Sequence, residues 1–125
     1  MVKPGVATLT ASVTVHHSGP GPYTLVELAG DADITGSETL NTALEAQTRT
    51  EPGLLIIAMS GLRYLDSSAL QAIVRAKLAQ GRHGGRLALV GPRDNVARVL
   101  QMTEVDQMVE VYASVAEAVA PPQAS

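Results

Sequence analysis

The chain contains no cysteine, no tryptophan and no phenylalanine. The first absence excludes a disulfide framework and any thiolate-held zinc. The other two leave Tyr23, Tyr64 and Tyr112 as the whole aromatic complement. That is too little to build a stacking platform for single-stranded nucleic acid. A basic surplus is also lacking. Nine Lys and Arg stand against twelve Asp and Glu, for a net charge of −3, so no general affinity for phosphate backbones follows. The longest strongly apolar run, Leu54-Leu55-Ile56-Ile57-Ala58-Met59, falls far short of the ~20 residues that span a bilayer. The opening Met1-Val2-Lys3-Pro4-Gly5 has no apolar signal region. These absences lead us to expect a soluble, cytoplasmic protein that touches neither nucleic acid nor membrane directly.

What is present is ordinary globular material. Hydrophobic residues make up 46% of the 125 positions and charged residues 17%, enough apolar surface for one core. A single domain over residues 1–125 is expected, with its core at about residues 7–120 and flexible termini. Proline and glycine punctuate it. Ser18-Gly19-Pro20-Gly21-Pro22, Glu51-Pro52-Gly53, Gly84-Gly85, Gly91-Pro92 and Pro121-Pro122 mark breaks.

Between the breaks the hydrophobic period alternates. Leu9, Ala11, Val13 and Val15 recur every second residue, which predicts a half-buried strand. Residues 23–29 read as its hairpin partner. Thr35 and Glu38 form a capping-box pattern ahead of Leu40, Ala43 and Leu44 on one helical face. Residues 54–59 are apolar on both alternating sets, as in a central strand covered on both sides. Residues 60–66 then read as a loop. Leu70, Ile73, Val74 and Leu78 predict a helix ending at Gln80-Gly81, and Leu87-Ala88-Leu89-Val90 a buried strand. Val96, Val99 and Leu100 mark a third helix, and residues 108–112 a short strand. Ser114 and Glu117 cap a final helix with Val115 and Val119 inward. The order is β-β-α-β-α-β-α-β-α. The fold class is α/β, with a mixed, mostly parallel sheet and an N-terminal antiparallel hairpin. Ligands and partners of such sheets gather at the carboxyl ends of the strands, which directs attention to the end of the central strand.

Leu65-Asp66-Ser67-Ser68-Ala69-Leu70 stands there. Asp66, Ser67 and Ser68 are all suitable helix caps. A phosphate on a serine at a helix start is tolerated by the unpaired N–H groups and the helix dipole, yet adds about −1.5 to −2 charge. Nucleophilic catalysis by Ser67 lacks support. The histidines are His16, His17 and His83, at a strand end and in a turn, and no Gly-x-Ser-x-Gly elbow exists. Asp66 as a receiver-type phospho-acceptor would find acids in Asp31 and Asp33, but the later strand ends Val90-Gly91-Pro92 without a lysine. Gly81-Arg82-His83-Gly84-Gly85 follows a helix and so reads as a helix stop, not a phosphate loop. Adjacent His16 and His17 point to opposite strand faces, with no third ligand indicated. Arg93-Asp94-Asn95 near Arg98 reads as a solvated helix start. No enzyme, cofactor or metal is expected.

At Asp66-Ser67-Ser68 the chain resembles the STAS family, and within it the bacterial anti-sigma-factor antagonists. The resemblance covers roughly residues 9–119. Gly30-Asp31-Ala32-Asp33 is similar to the family's turn after the second strand, residues 54–68 to its signature strand and loop, and Val96, Val99 and Leu100 to its third helix. The resemblance implies a STAS-like fold and a module that binds an anti-sigma factor. That partner is also a serine kinase of the histidine-kinase-like ATPase fold, and a serine phosphatase reverses its action. It implies phosphorylation of Ser67, loss of binding on phosphorylation, and a partner surface of Asp31, Asp33, Asp66, Ser67, Ser68 and Ala69. Three positions depart from the family pattern. Ala69 stands in place of Gly, Asp31 in place of Glu, and Ala58 where a polar residue is common. Ala69 is expected to hinder close approach of a partner. An alternative is a STAS module of a stress-signalling scaffold or a transporter-associated complex, without a serine switch. A small enzyme or nucleotide binder is a third, which lacks a base, a metal set and a phosphate loop. Oligomeric state stays open, with the exposed sheet edge as one self-association surface.

Overall fold

A computed structural model describes residues 9–16, 22–32, 36–48 and 53–120. The elements are β1 (Thr10–His16), β2 (Tyr23–Ala32), α1 (Ser37–Thr48), β3 (Leu54–Leu65), α2 (Ser67–Arg82), β4 (Arg86–Val90), α3 (Asp94–Met102), β5 (Glu110–Tyr112) and α4 (Val115–Val119). One 3-10 turn, Val105–Gln107, precedes β5. It displaces Met108 from the strand expected at residues 108–112 and leaves that side chain exposed.

The sheet order is β1-β2-β3-β4-β5. β1 lies antiparallel to β2, and each later neighbour is parallel. This follows from the connections. A short link returns the chain antiparallel, whereas each later pair is joined through a helix that carries the chain back to the same end. Leu55, Ile57 and Met59 of β3 join Val26, Leu28, Leu87 and Leu89 in the main core, closed by Leu40 and Leu44 of α1, Ile73 of α2 and Leu100 of α3. Ile56, Ala88 and Val90 face the other way, against Ala118, Val115 and Val119 of α4. Two covered faces explain why the first half of the central strand, residues 54–59, is apolar at every position. At the start of α4, the Glu117 N–H donates to Ser114 Oγ at 3.2 Å, as the capping pattern predicts. Thr35 lies outside the described residues. α2 runs past the expected stop at Gln80-Gly81 and ends at Arg82, in a turn where Gly84 takes φ +76° and the Gly85 N–H donates to Gln80 O at 2.9 Å.

Three expectations need correction. First, residues 60–65 are not a loop, and residues 30–32 are not a turn after the second strand, because β2 runs on to Ala32. β3 continues to Leu65, paired with β2 as far as Ala32↔Leu65, with register shifts between Glu27/Ala29 and Gly30/Asp31. Its pairing with β4 ends at Ala58↔Val90. The second half of β3 therefore has solvent on its free side, and that is why polar residues occupy it. Second, Leu78 is 53% exposed. The buried stripe of α2 runs through Ala69, Ile73, Ala76 and Gln80. At 100° per residue, Leu78 lies about 140° around the helix from Ile73. Third, only the Leu9 end of β1 is covered. Leu9 is buried and Ala11 packs on the core, but Val13 and Val15 remain 43% and 52% exposed.

Candidate functional site

The carboxyl ends of β2 and β3 meet the start of α2. The Asp66 N–H donates to Ala32 O at 3.0 Å, which ties the two strand ends to the helix. Asp66 takes an extended backbone (φ −102°, ψ −177°) and caps α2. Its Oδ1 accepts from the Ala69 N–H at 3.1 Å and from the Ser68 hydroxyl at 2.7 Å. One carboxylate oxygen thus answers an orphan amide of the first turn and fixes the second serine. We expect Asp66→Ala to cost about 1–2 kcal/mol, from the lost cap and the released Ser68 hydroxyl. Asp66→Asn should restore most of it. Urea unfolding of the three proteins checks this, and equal midpoints would refute the capping role.

The two serines are therefore not equivalent. Ser68 is half-buried, and its hydroxyl is committed to Asp66. Ser67 is exposed, and among the described residues no side-chain hydrogen bond engages its hydroxyl. It sits in the first turn of a 16-residue helix, beside N–H groups that favour negative charge. It also lines an open groove of about 380 Å³, together with Leu70, Gln71, Val74, Arg75, Thr103 and Val105. The groove joins α2 to the 3-10 turn, elements far apart in sequence. Leu70 and Val74 carry only a core-forming signal in the sequence, and nothing there points to Val105.

The remaining expected residues divide. Asp31 is half-buried, 4.0 Å from Arg63 Nε. It lines a separate polar cleft between the free half of β3 and the start of α3, with Arg63, Tyr64, Arg93 and Asp94. Asp31 and Ser67 thus open onto different concavities. Asp33 lies outside the described residues. Ala69 corrects the expectation that it meets a partner. It has no exposed surface and packs in the main core, so its methyl group faces inward and cannot hinder an approaching chain. Ala58 lies half-buried on β3, its side alternating with that of Ile57. Arg93-Asp94-Asn95 is a solvated helix start, as expected.

Among the described residues no group of three or more His, Asp or Glu is placed to hold a metal ion. No described helix is long and apolar enough to cross a membrane.

Comparison with known proteins agrees with this fold. A Thermotoga maritima protein named as an anti-sigma factor antagonist is 34% identical over 64 residues, 51% of this chain and 57% of that protein. The match thus spans little more than half the length of that curated relative. An anti-sigma factor antagonist from Mycobacterium paratuberculosis superposes with a TM-score of 0.79 at 22% identity, covering 90% of this chain and 92% of that one. SpoIIAA of Bacillus, in its unphosphorylated form, superposes at 0.67 with 17% identity over 86% of this chain and 93% of that one. At such identities the structural likenesses speak for the fold. The family assignment rests on residues 12–118, which match the STAS domain and span the sheet from β1 to β5 together with most of α4. With that match over most of its length, the chain belongs to the STAS domain family.

Proposed function

We propose that this protein is an anti-sigma factor antagonist whose binding is switched at Ser67. Unmodified, it holds an anti-sigma factor and so frees a sigma factor for transcription. The observation that carries the reading is the uncommitted hydroxyl of exposed Ser67, which lines an apolar groove next to a serine whose hydroxyl is already bonded. The groove supplies contact area. The hydroxyl supplies the point at which contact is broken. A relative named for the same role, and a STAS protein solved in both unphosphorylated and phosphorylated forms, support it.

The partner in this reading is a serine kinase of the histidine-kinase-like ATPase fold. Ser67 Oγ attacks the γ-phosphorus of the kinase's ATP. The bond from that phosphorus to the bridging oxygen breaks, ADP leaves, and the hydroxyl proton passes to a base of the kinase. A serine phosphatase returns the hydroxyl by hydrolysis. This chain contributes position, not catalysis. Asp66 fixes the helix start, and the amides of the first turn stabilise the phosphate once it is made. In this reading the protein works in the cytoplasm.

Incubation with such a kinase and ATP, followed by mapping of the phosphate, tests the site. Label on Ser67, lost in Ser67→Ala, is the expected result. Label on Ser68, or Ser67→Ala modified as fully as the wild type, would overturn it. A stable complex indifferent to Ser67 would instead support the STAS module of a scaffold or transporter-associated assembly.

A further inference from the structure

The two edges of the sheet are built differently. β5 is three residues long. Its Glu110 is paired with Arg86 through two contacts, at 3.1 Å and 2.5 Å, and also accepts from the Tyr112 hydroxyl at 2.6 Å. The Arg86 hydrogen bond holds the Glu110 carboxyl below its ordinary range. A short edge carrying fixed charge resists pairing with another strand. β1 has none of these protections. It runs for seven residues, and from Thr10 to Val15 it contains no charge, no proline and no glycine. Its one strand neighbour among the described residues is β2, so no described strand takes up the backbone groups on its other side.

We infer that β1 is a self-association surface, on which β1 of a second copy adds in antiparallel register to make one continuous ten-stranded sheet from two sheets of five. The composition of the strand points to a copy over a foreign segment. An antiparallel two-fold centred on Val13 sets Val13 against its own counterpart, Val15 against Ala11, and Thr14 against Ser12. Every one of these pairs is neutral, and Ala11, Val13 and Val15 share one face. That face is the helix side, because Val13 lies opposite Val26, a residue of the main core. Val13 and Val15 are 43% and 52% exposed there. On the same face Ala11 lines a groove between β1 and α1, with Thr39, Thr42, Ala43 and one charged residue, Glu38. Elsewhere a net charge of −3 makes copies repel. Within β1 itself, from Thr10 to Val15, no charge does. A single strand pair makes a small interface, so the dimer is reversible and concentration-dependent. The inference is independent of the Ser67 reading.

Sedimentation equilibrium of the full chain from micromolar to near-millimolar concentration tests it. The wild type should pass from monomer to dimer. Val13→Lys sets two like charges across the two-fold and should weaken the dimer about tenfold or more. Val13→Glu should do the same, and an equimolar mixture of the two variants should restore it. Val15→Lys gives a second reading of the same face if Val13→Lys folds poorly, and Val111→Lys on β5 should leave the dimer intact. A wild type that stays monomeric throughout, a Val13→Lys protein that dimerises as the wild type does, or a mixture that stays monomeric would overturn the proposal. So would dissociation by Val111→Lys.

Discussion

Replacing Ser67 with Asp is expected to weaken binding of the anti-sigma factor kinase about a hundredfold or more. The size follows from what Ser67 meets in the proposed complex. A hydroxyl that attacks a γ-phosphorus must come within about 3.5 Å of it. In the bound state, then, Ser67 faces the most negative group the kinase holds. A carboxylate there meets nucleotide phosphates at close range and, with Leu70, Val74 and Val105 covered by the partner, is screened by little water. Two desolvated like charges cost several kcal/mol. The folded chain itself bears the substitution easily. Ser67 is exposed and lies at a helix start, where an acid is favoured by about 0.3–1 kcal/mol. The expected signature is therefore a large loss of affinity with an unchanged or slightly raised melting temperature. Titration of the kinase with wild type, Ser67→Ala and Ser67→Asp, in the presence of nucleotide, provides the measurement. Ser67→Ala should bind as the wild type does. Equal affinity for all three would remove the switch and leave the fold assignment standing.

Gly61→Ala is expected to destabilise the protein by about 2 kcal/mol and to lower the melting temperature by roughly 5–10 °C. Gly61 looks harmless, since it is exposed. Its cost lies in the backbone opposite. A Cβ at this position would stand 2.8 Å from Leu28 O and 3.0 Å from Ala29 Cβ. Neither atom belongs to a flexible side chain that can swing aside. The close approach occurs where β2 and β3 slip register between Glu27 and Ala29, and relief would require the two strands to separate there. The same pairing goes on to Ala32↔Leu65, and Ala32 O receives the Asp66 N–H. The substitution should therefore also loosen the start of α2. Thermal unfolding gives the first effect, and hydrogen exchange at the Asp66 amide gives the second. An unchanged melting temperature would mean that the strands accommodate the methyl group.

Much of this architecture is written in local pattern. Residues 54–59 announce a strand covered on both faces, and Ile57 and Ile56 do point into opposite cores. The capping reading of Ser114 is met by a hydrogen bond, and Asp66 caps α2. These features are legible because they depend on neighbours within one helical turn or on a strict period of two. Residues 60–65 were not legible as strand. Their polarity suits a loop, and only the continued ladder with β2 keeps them extended. Leu78, Val13 and Val15 show the same limit. Periodicity says which side chains share a face, but not whether another element covers it.

The sequence by itself determined the order of elements, the antiparallel opening and the location of an acid followed by two serines at a helix start. Tertiary structure decided the rest of the site. It buried Ala69, engaged Ser68 with Asp66, left Ser67 uncommitted, and brought Val105 across to make the groove. The physical reason is that exposure and contact belong to pairs of elements distant along the chain. Propensity, capping and period are fixed within a few residues, whereas what lies above a side chain depends on where another segment of the chain comes to rest.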